Sequence, residues 1–316
     1  FPTRRSSDLI VDVLKSQTDN IAKEDAYTLA LFAQDEIKLL RNLQALIGVR
    51  YIYHENFKNH ATPNVALMYK PGKFNFRASY AAGFRTPTLS ELYATDIAKK
   101  NDRLTIGNLD LKPEKNNYFS LSAEYVHERF SVSVNAFYNN IRDMIDYNTI
   151  ATGDKAMEQY GHKEVRQRDN IAEAKVHGIN VSANAYLGAG FNLSGGYTHL
   201  NTQDVELEQP IDKSIKNAYN INAQWAHSWK IYRLNINLNG RFNSKRFSKS
   251  YGYAPEYQLW DLNTRHSFNL KSVIIEPGCG MENLFDYMDD RPYNSNYATL
   301  TPGRSFYISL SLKFKS

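Results

Sequence analysis

Apolar and polar side chains alternate one by one along much of this sequence, in runs of about 9 to 14 residues, against the roughly 5 to 6 residues of an ordinary globular strand. Successive side chains of a strand point to opposite faces, so a period of two separates an apolar face from a polar one. The stretch around residue 234 is the clearest. Tyr232, Leu234, Ile236, Leu238 and Phe242 fall on one face, and Arg233, Asn235, Asn237, Asn239 and Arg241 on the other. The same alternation places Phe119, Leu121, Ala123 and Tyr125 against Ser120, Ser122 and Glu124, and Phe306, Ile308, Leu310, Leu312 and Phe314 against Ser309, Ser311 and Lys313. Phe74, Phe76, Ala78 and Tyr80 oppose Asn75, Arg77 and Ser79, and Val132, Val134, Ala136 and Tyr138 oppose Ser133, Asn135 and Asn139. Runs of this length suit a strand that crosses a bilayer at a tilt.

Alternation by itself fits both a soluble sandwich, with its apolar face in a core, and a membrane wall, with its apolar face in lipid. The connections separate the two. Short turns are expected near Leu40–Asn42, Lys70–Lys73, His127–Arg129, Leu187–Gly190, Ser228–Lys230 and Asn269–Lys271. Between them lie longer connections at His54–His60, Arg85–Lys115, Arg142–Lys163, Asn201–Ser214, Ser244–Ala254 and Phe285–Thr301. Short and long alternate, as they do when a barrel turns tightly on one side of a membrane and loops widely on the other. Composition agrees. Hydrophobic residues make up 42% of the chain and the mean hydropathy is −0.54. No stretch approaches the roughly 18 to 20 consecutive apolar residues of a membrane helix, which excludes a helical membrane protein. Tyr is abundant, 22 against 3 Trp, as in barrels with aromatic girdles.

The expected fold class is therefore all-β, an antiparallel transmembrane β-barrel with about thirteen strands, where bacterial single-chain barrels have even numbers. Further strands are expected upstream. Residues 1–9 (FPTRRSSDL) resemble translated sequencing-adapter sequence and are set apart as a non-native scar; residues 10–23 are expected as an upstream loop or partial strand, and 24–316 as barrel. The lone Cys279 rules out an internal disulfide framework. A formal charge of +5 comes without any basic block, so nucleic acid is not an expected partner.

Two motifs carry a family resemblance. The run that ends in Gly83, Phe84, Arg85 and Pro87 continues into Glu91, Leu92 and Tyr93, then returns through Gly107, Asn108, Leu111, Pro113 and Glu114. This resembles the G-F-R-x-P, x-x-x-E-L-Y and G-N-x-x-L-x-P-E signature of TonB-dependent outer-membrane receptors of siderophore type. Asn283, Leu284 and Phe285, with Pro302, Gly303 and Arg304, match the last two strands of the same family. The resemblance implies the C-terminal portion of a barrel of about 22 strands, without the plug and the TonB-contacting box that precede it. It further implies an outer membrane of a Gram-negative bacterium, outer-membrane lipid around the wall, coupling to the TonB-ExbB-ExbD complex, and uptake of a ferric siderophore or related metal chelate. Haem or cobalamin uptake by the same family, or a passive porin-like barrel, is the alternative.

Among candidate ligand contacts, Arg85 has donors for an anionic chelate, and equally for bracing its own loop; Glu91 is expected as a partner within the loop. Tyr93, Tyr147, Tyr160, Tyr251, Tyr253, Tyr293 and Tyr297 offer flat aromatic contacts in the external loops, although tyrosines also form interfacial girdles. Haem importers of the family carry an axial His between the two halves of the first motif; none lies between Arg85 and Asp110 here, and His162 beside Met157 and Tyr160 is the substitute. No G-x-S-x-G, H-E-x-x-H or phosphate-cradling loop is present, and the adjacent Asp289 and Asp290 point apart, so no catalytic residue is expected. Neither a cofactor nor a resident metal is expected.

Overall fold

A computed structural model describes residues 4–16, 21–170, 173–248, 252–289 and 302–315. In chain order the strands are β1 (Arg4–Ser16), β2 (Ile21–Leu40), β3 (Leu43–His54), β4 (Lys58–Tyr69) and β5 (Phe74–Arg85), followed by the short helix α1 (Leu89–Tyr93). Next come β6 (Thr95–Ala98), β7 (Arg103–Ile106), β8 (Glu114–Val126), β9 (Phe130–Arg142), β10 (Ile145–Thr152), helix α2 (Gly153–Tyr160) and β11 (Glu164–Asn170). The chain continues through β12 (Ala174–Gly188), β13 (Phe191–Asp204), β14 (Asn217–Trp229), β15 (Tyr232–Asn243), β16 (Arg246–Ser248), β17 (Gly252–Ala254), β18 (Tyr257–Asn269), β19 (Val273–Glu282) and β20 (Ser305–Phe314).

Fourteen of these strands form one sheet in the order β1-β2-β3-β4-β5-β8-β9-β12-β13-β14-β15-β18-β19-β20, every neighbouring pair antiparallel. That is one strand more than the sequence suggests. β1 takes in all of residues 4–16, which the sequence reading divides between a scar and a loop or partial strand. Its backbone pairs with β2 from Arg4↔Gln34 to Leu14↔Glu24, and backbone pairing does not require an alternating pattern.

Register converts the one-strand pattern into a two-faced wall. Ile37, Ala45, Leu67, Ala78, Leu121, Ala136 and Ile179 sit opposite one another in a single row across β2, β3, β4, β5, β8, β9 and β12. The other face is bound by polar contacts: Ser79 and Ser120 hydroxyls lie 2.6 Å apart, and Asn222 Nδ2 donates to Asn237 Oδ1 at 2.6 Å and to Asn239 Oδ1 at 2.5 Å. The apolar row is not folded into a core. Its large members stay open, Leu121 at 62%, Leu67 at 46% and Ile179 at 44% exposed, while the small Ala45 is covered by its neighbours. Exposed apolar side chains aligned across seven neighbouring strands are what a wall facing acyl chains presents. No helix among the described residues is long and apolar enough to cross a membrane.

The wall turns tightly at one end, through Arg41–Asn42, residues 70–73, 127–129, 189–190, 230–231 and 270–272. At the other end the connections that follow β5 are long, and one expected long connection needs correction. His54–His60 is not a wide loop: β3 and β4 stay paired up to His54↔Lys58, and residues 55–57 alone make the turn. His54 is buried there, its ring 5.0 Å from that of Phe57, and its Nδ1 accepts from the Asn56 N–H. Two of the other long connections, residues 86–113 and 143–173, build a small assembly outside the wall sheet. β10, β11, β7 and β6 form a four-stranded sheet in which β11 and β7 run parallel, and β16 pairs with β17 in a separate hairpin.

Candidate functional site

The first motif assembles at the junction between wall and loop assembly. Thr88 and Glu91 form a reciprocal cap on α1: Thr88 Oγ1 accepts from the Glu91 N–H at 3.2 Å, and Glu91 Oε2 accepts from the Thr88 N–H at 2.8 Å. The T-x-x-E spacing that signals such a cap was present in the sequence. Pro87 precedes it, where a missing N–H removes no strand bond. The cap turns Glu91 back toward the end of β5. There Arg85 donates from Nε to Glu114 Oε2 at 2.7 Å, from Nη2 to Glu114 Oε1 at 2.5 Å, and from Nη1 to Glu91 Oε2 at 2.9 Å. Glu114 Oε1 accepts a further bond from the Ile145 N–H at 2.8 Å. One guanidinium and two carboxylates therefore tie together the end of β5, α1, the start of β8 and the start of β10. Burial pushes the Glu91 carboxyl up, but the bonds from Arg85 and the Thr88 backbone together outweigh it and hold it below the ordinary glutamate value.

Behind this joint lies a small apolar core of Leu92, Leu111 and Ile145, with Tyr93 and Phe57 packed against it. Gly107 allows the return strand to close on α1, because a Cβ there would lie 2.5 Å from the Leu92 carbonyl oxygen; its N–H donates to the Ala94 carbonyl at 2.8 Å. Asn108 donates to the Arg168 carbonyl at 3.0 Å, and its N–H reaches the Glu91 carbonyl. Sequence reasoning missed Asn170, which carries no motif signal. Its Nδ2 donates to the carbonyls of Lys112 and Asp143, and its Oδ1 accepts from the Lys112 N–H at 2.7 Å.

Asn283 plays the corresponding part in the last connection. Held at φ 53, it donates to the carbonyls of Tyr287 and Pro302, and accepts from the Tyr287 N–H. Leu284 donates its N–H to the Trp260 carbonyl, Phe285 meets the Trp260 ring edge-on at 6.4 Å, and the Arg304 N–H donates to Asp286 Oδ1 across Gly303.

The candidate contact residues do not converge on one pocket. Arg85 is directed into the joint, toward carboxylates rather than loop carbonyls. Tyr93 belongs to the apolar core. Tyr147, on β10, lies under the Arg168 guanidinium, 3.8 Å from ring centroid to Cζ. Tyr160 is half-buried at the end of α2, and Tyr253 is exposed on β17, edge-on to Phe247. His162 Nδ1 faces Asp102 Oδ1 at 2.8 Å, a contact that holds the Asp102 carboxyl below its ordinary value. Tyr251, Tyr293 and Tyr297 lie outside the described residues. A polar recess of about 450 Å3 opens beside the assembly, lined by Asn108, Lys112, Arg142, Asp143, Asp169 and Glu206 among others; none of the tyrosines lines it.

Comparison with known proteins places this architecture. The wall superposes on a mutant form of the ferric enterobactin receptor PfeA from Pseudomonas aeruginosa with a TM-score of 0.74 and 20% identity, covering 92% of this chain and 46% of that one. It matches the siderophore receptor PirA from Pseudomonas aeruginosa at a TM-score of 0.75, 17% identity, 99% and 53% coverage. The ferric preacinetobactin receptor BauA from Acinetobacter baumannii gives 0.65, 17%, 92% and 43%. The chain thus spans about half the length of these receptors. A family model described as "TonB dependent receptor-like, beta-barrel" matches residues 3–284. The two-faced antiparallel wall, the joint built from the first motif and this match together make the chain a member of the TonB-dependent receptor β-barrel family.

Proposed function

We propose that this chain is the barrel portion of a Gram-negative outer-membrane receptor that takes up a ferric siderophore with energy delivered by the TonB-ExbB-ExbD complex. The observation that carries the reading is the joint of Arg85, Glu91 and Glu114 at the mouth of a two-faced wall. It ties a folded loop assembly to the ends of β5 and β8, which is what a receptor needs in order to present a binding surface outside and a polar passage within. The similar structures support the same class, since they are receptors for ferric enterobactin and ferric preacinetobactin. Energy coupling would run through segments outside the wall described above.

Deleting the gene should slow growth on one ferric siderophore under iron limitation, and re-expression should restore it. Unchanged growth on every iron chelate would overturn the siderophore reading. Haem uptake is the second reading, favoured by one contact. A carboxylate on Nδ1 orients a histidine ring with Nε2 free to ligate, and His162 stands this way against Asp102. Haem-dependent growth lost in His162→Ala and retained for siderophores would favour it. A porin-like barrel would conduct ions after reconstitution without TonB.

A further inference from the structure

The tight-turn end of the wall carries two tiers of side chains that the uptake reading does not use. The first tier is aromatic and lies on the apolar face just inside the turns. Phe74 and Tyr125 rings lie 4.9 Å apart, Tyr125 and Phe130 5.5 Å, Trp229 and Tyr232 5.5 Å, and Tyr232 and Phe268 5.0 Å. Phe74, Phe130 and Trp229 are each more than 40% exposed. Amphipathic rings gather where acyl chains give way to headgroups, so this tier marks the depth of the interface.

The second tier is basic and lies in the turns themselves. Arg41, Lys70, Lys73, Arg129, Lys230 and Lys271 are all exposed; Lys315, after the end of β20, is exposed too but donates from Nζ to Asn269 Oδ1 and the Leu270 carbonyl. Among the described residues of these turns Glu128 is the only carboxylate. The ion pairs found among the described residues involve none of the six turn cations. The opposite end has no such bias: residues 143–173 hold Asp143, Asp146, Asp154, Glu158, Glu164, Asp169 and Glu173 beside Lys155, Lys163, Arg166 and Arg168. Unpaired cations on long stems, one step beyond an aromatic belt, sit where headgroup phosphates lie and can reach them by extending along the interface.

We propose that this rim is a docking collar for the phosphate groups of anionic phospholipids, of the phosphatidylglycerol type, in the leaflet that meets the tight turns. The proposal rests on the membrane-wall reading and adds to it which lipid is selected and by which residues. Two interfacial tryptophans, Trp225 and Trp229, report on it.

The full-length receptor is reconstituted in phosphatidylcholine vesicles containing either brominated phosphatidylglycerol or brominated phosphatidylcholine at equal mole fraction. The fluorescence owed to Trp225 and Trp229 is isolated by subtracting that of a Trp225→Phe, Trp229→Phe variant. Brominated phosphatidylglycerol is expected to quench this signal at least about twofold more than brominated phosphatidylcholine, with the ratio falling toward one in about 0.5 M salt. The same fall is expected in a variant with Arg41, Lys70, Lys73, Arg129, Lys230 and Lys271 changed to Gln. Equal quenching by both lipids in the unsubstituted receptor overturns the collar and leaves the wall standing. A preference that survives salt, or survives the six substitutions, also overturns it; the salt arm decides alone should the variant fail to assemble. No quenching by either lipid removes the wall reading and the collar with it.

Discussion

Leu121, in the middle of β8, keeps 62% of its surface exposed, whereas Leu111, a short way upstream, keeps 3%. The two leucines differ in the solvent on the far side of the backbone. In the wall the apolar side chains face outward because acyl chains take the place of a protein core, and the polar face holds itself together through contacts such as Ser79–Ser120 and Asn222–Asn237. In the loop assembly the surroundings are water, so Leu92, Leu111 and Ile145 turn inward and ion pairs sit at the margin. Glu114 opens β8 and stands at the boundary between the two regimes.

The sharpest way to break this comparison is to put a charge on the lipid-facing side. Leu121→Arg should cost about 2–4 kcal/mol of barrel stability, read as a loss of the folded, heat-modifiable band in cold electrophoresis, while Asn237→Arg on the polar face should assemble normally. Leu111→Ala should cost about 2–3 kcal/mol within the loop assembly alone, speeding amide exchange over α1, β10 and β11 without changing exchange in β14 or β15. Glu114→Ala leaves Arg85 with one carboxylate and the Ile145 N–H without its acceptor, a loss of about 1–3 kcal/mol read as faster proteolysis within residues 86–113 and 143–173. Thr88→Ala removes half of the reciprocal cap and should cost about 1 kcal/mol, visible by the same proteolysis.

Acid sharpens the comparison further. The Glu91 carboxyl is held below its ordinary value of 4.5 in the folded protein. It therefore contributes stability that is fully present above that value and is lost as pH falls through the lower, folded value. Proteolysis of the loop assembly should accelerate at pH below about 4.5, and Glu91→Gln should flatten that dependence.

Much of the wall could be read from residues, because β8, β9 and β15 alternate strictly and register then follows from keeping apolar opposite apolar. The exceptions are segments without alternation. Arg4–Asp8 (RRSSD) and the two ends of His54–His60 (HENFKNH) show no period of two, yet they extend strands around the three-residue turn 55–57 and at the start of β1, since ladder hydrogen bonds are made by the backbone whatever the side chains do. The four-stranded sheet was not legible at all: β11 pairs with β7 from far along the chain, Glu164↔Arg103 to Gln167↔Ile106, and no local pattern encodes such a contact. At the site, Arg85, Glu91 and Glu114 stood out as motif residues, but that the three meet is a tertiary fact. Asn170 had no signal to find, and the partner of His162 lies on a different loop.

The account stands on which face of the wall meets lipid. Spin labels placed one at a time from Leu234 to Asn239 on β15, in a Cys279→Ser background of the full-length receptor in vesicles, would read this residue by residue through collision with oxygen, which concentrates in lipid, and with a water-soluble nickel chelate. Positions 234, 236 and 238 should favour oxygen and positions 235, 237 and 239 the chelate. Uniform accessibility along the strand, or the opposite phase, would contradict a wall with its apolar face in the membrane.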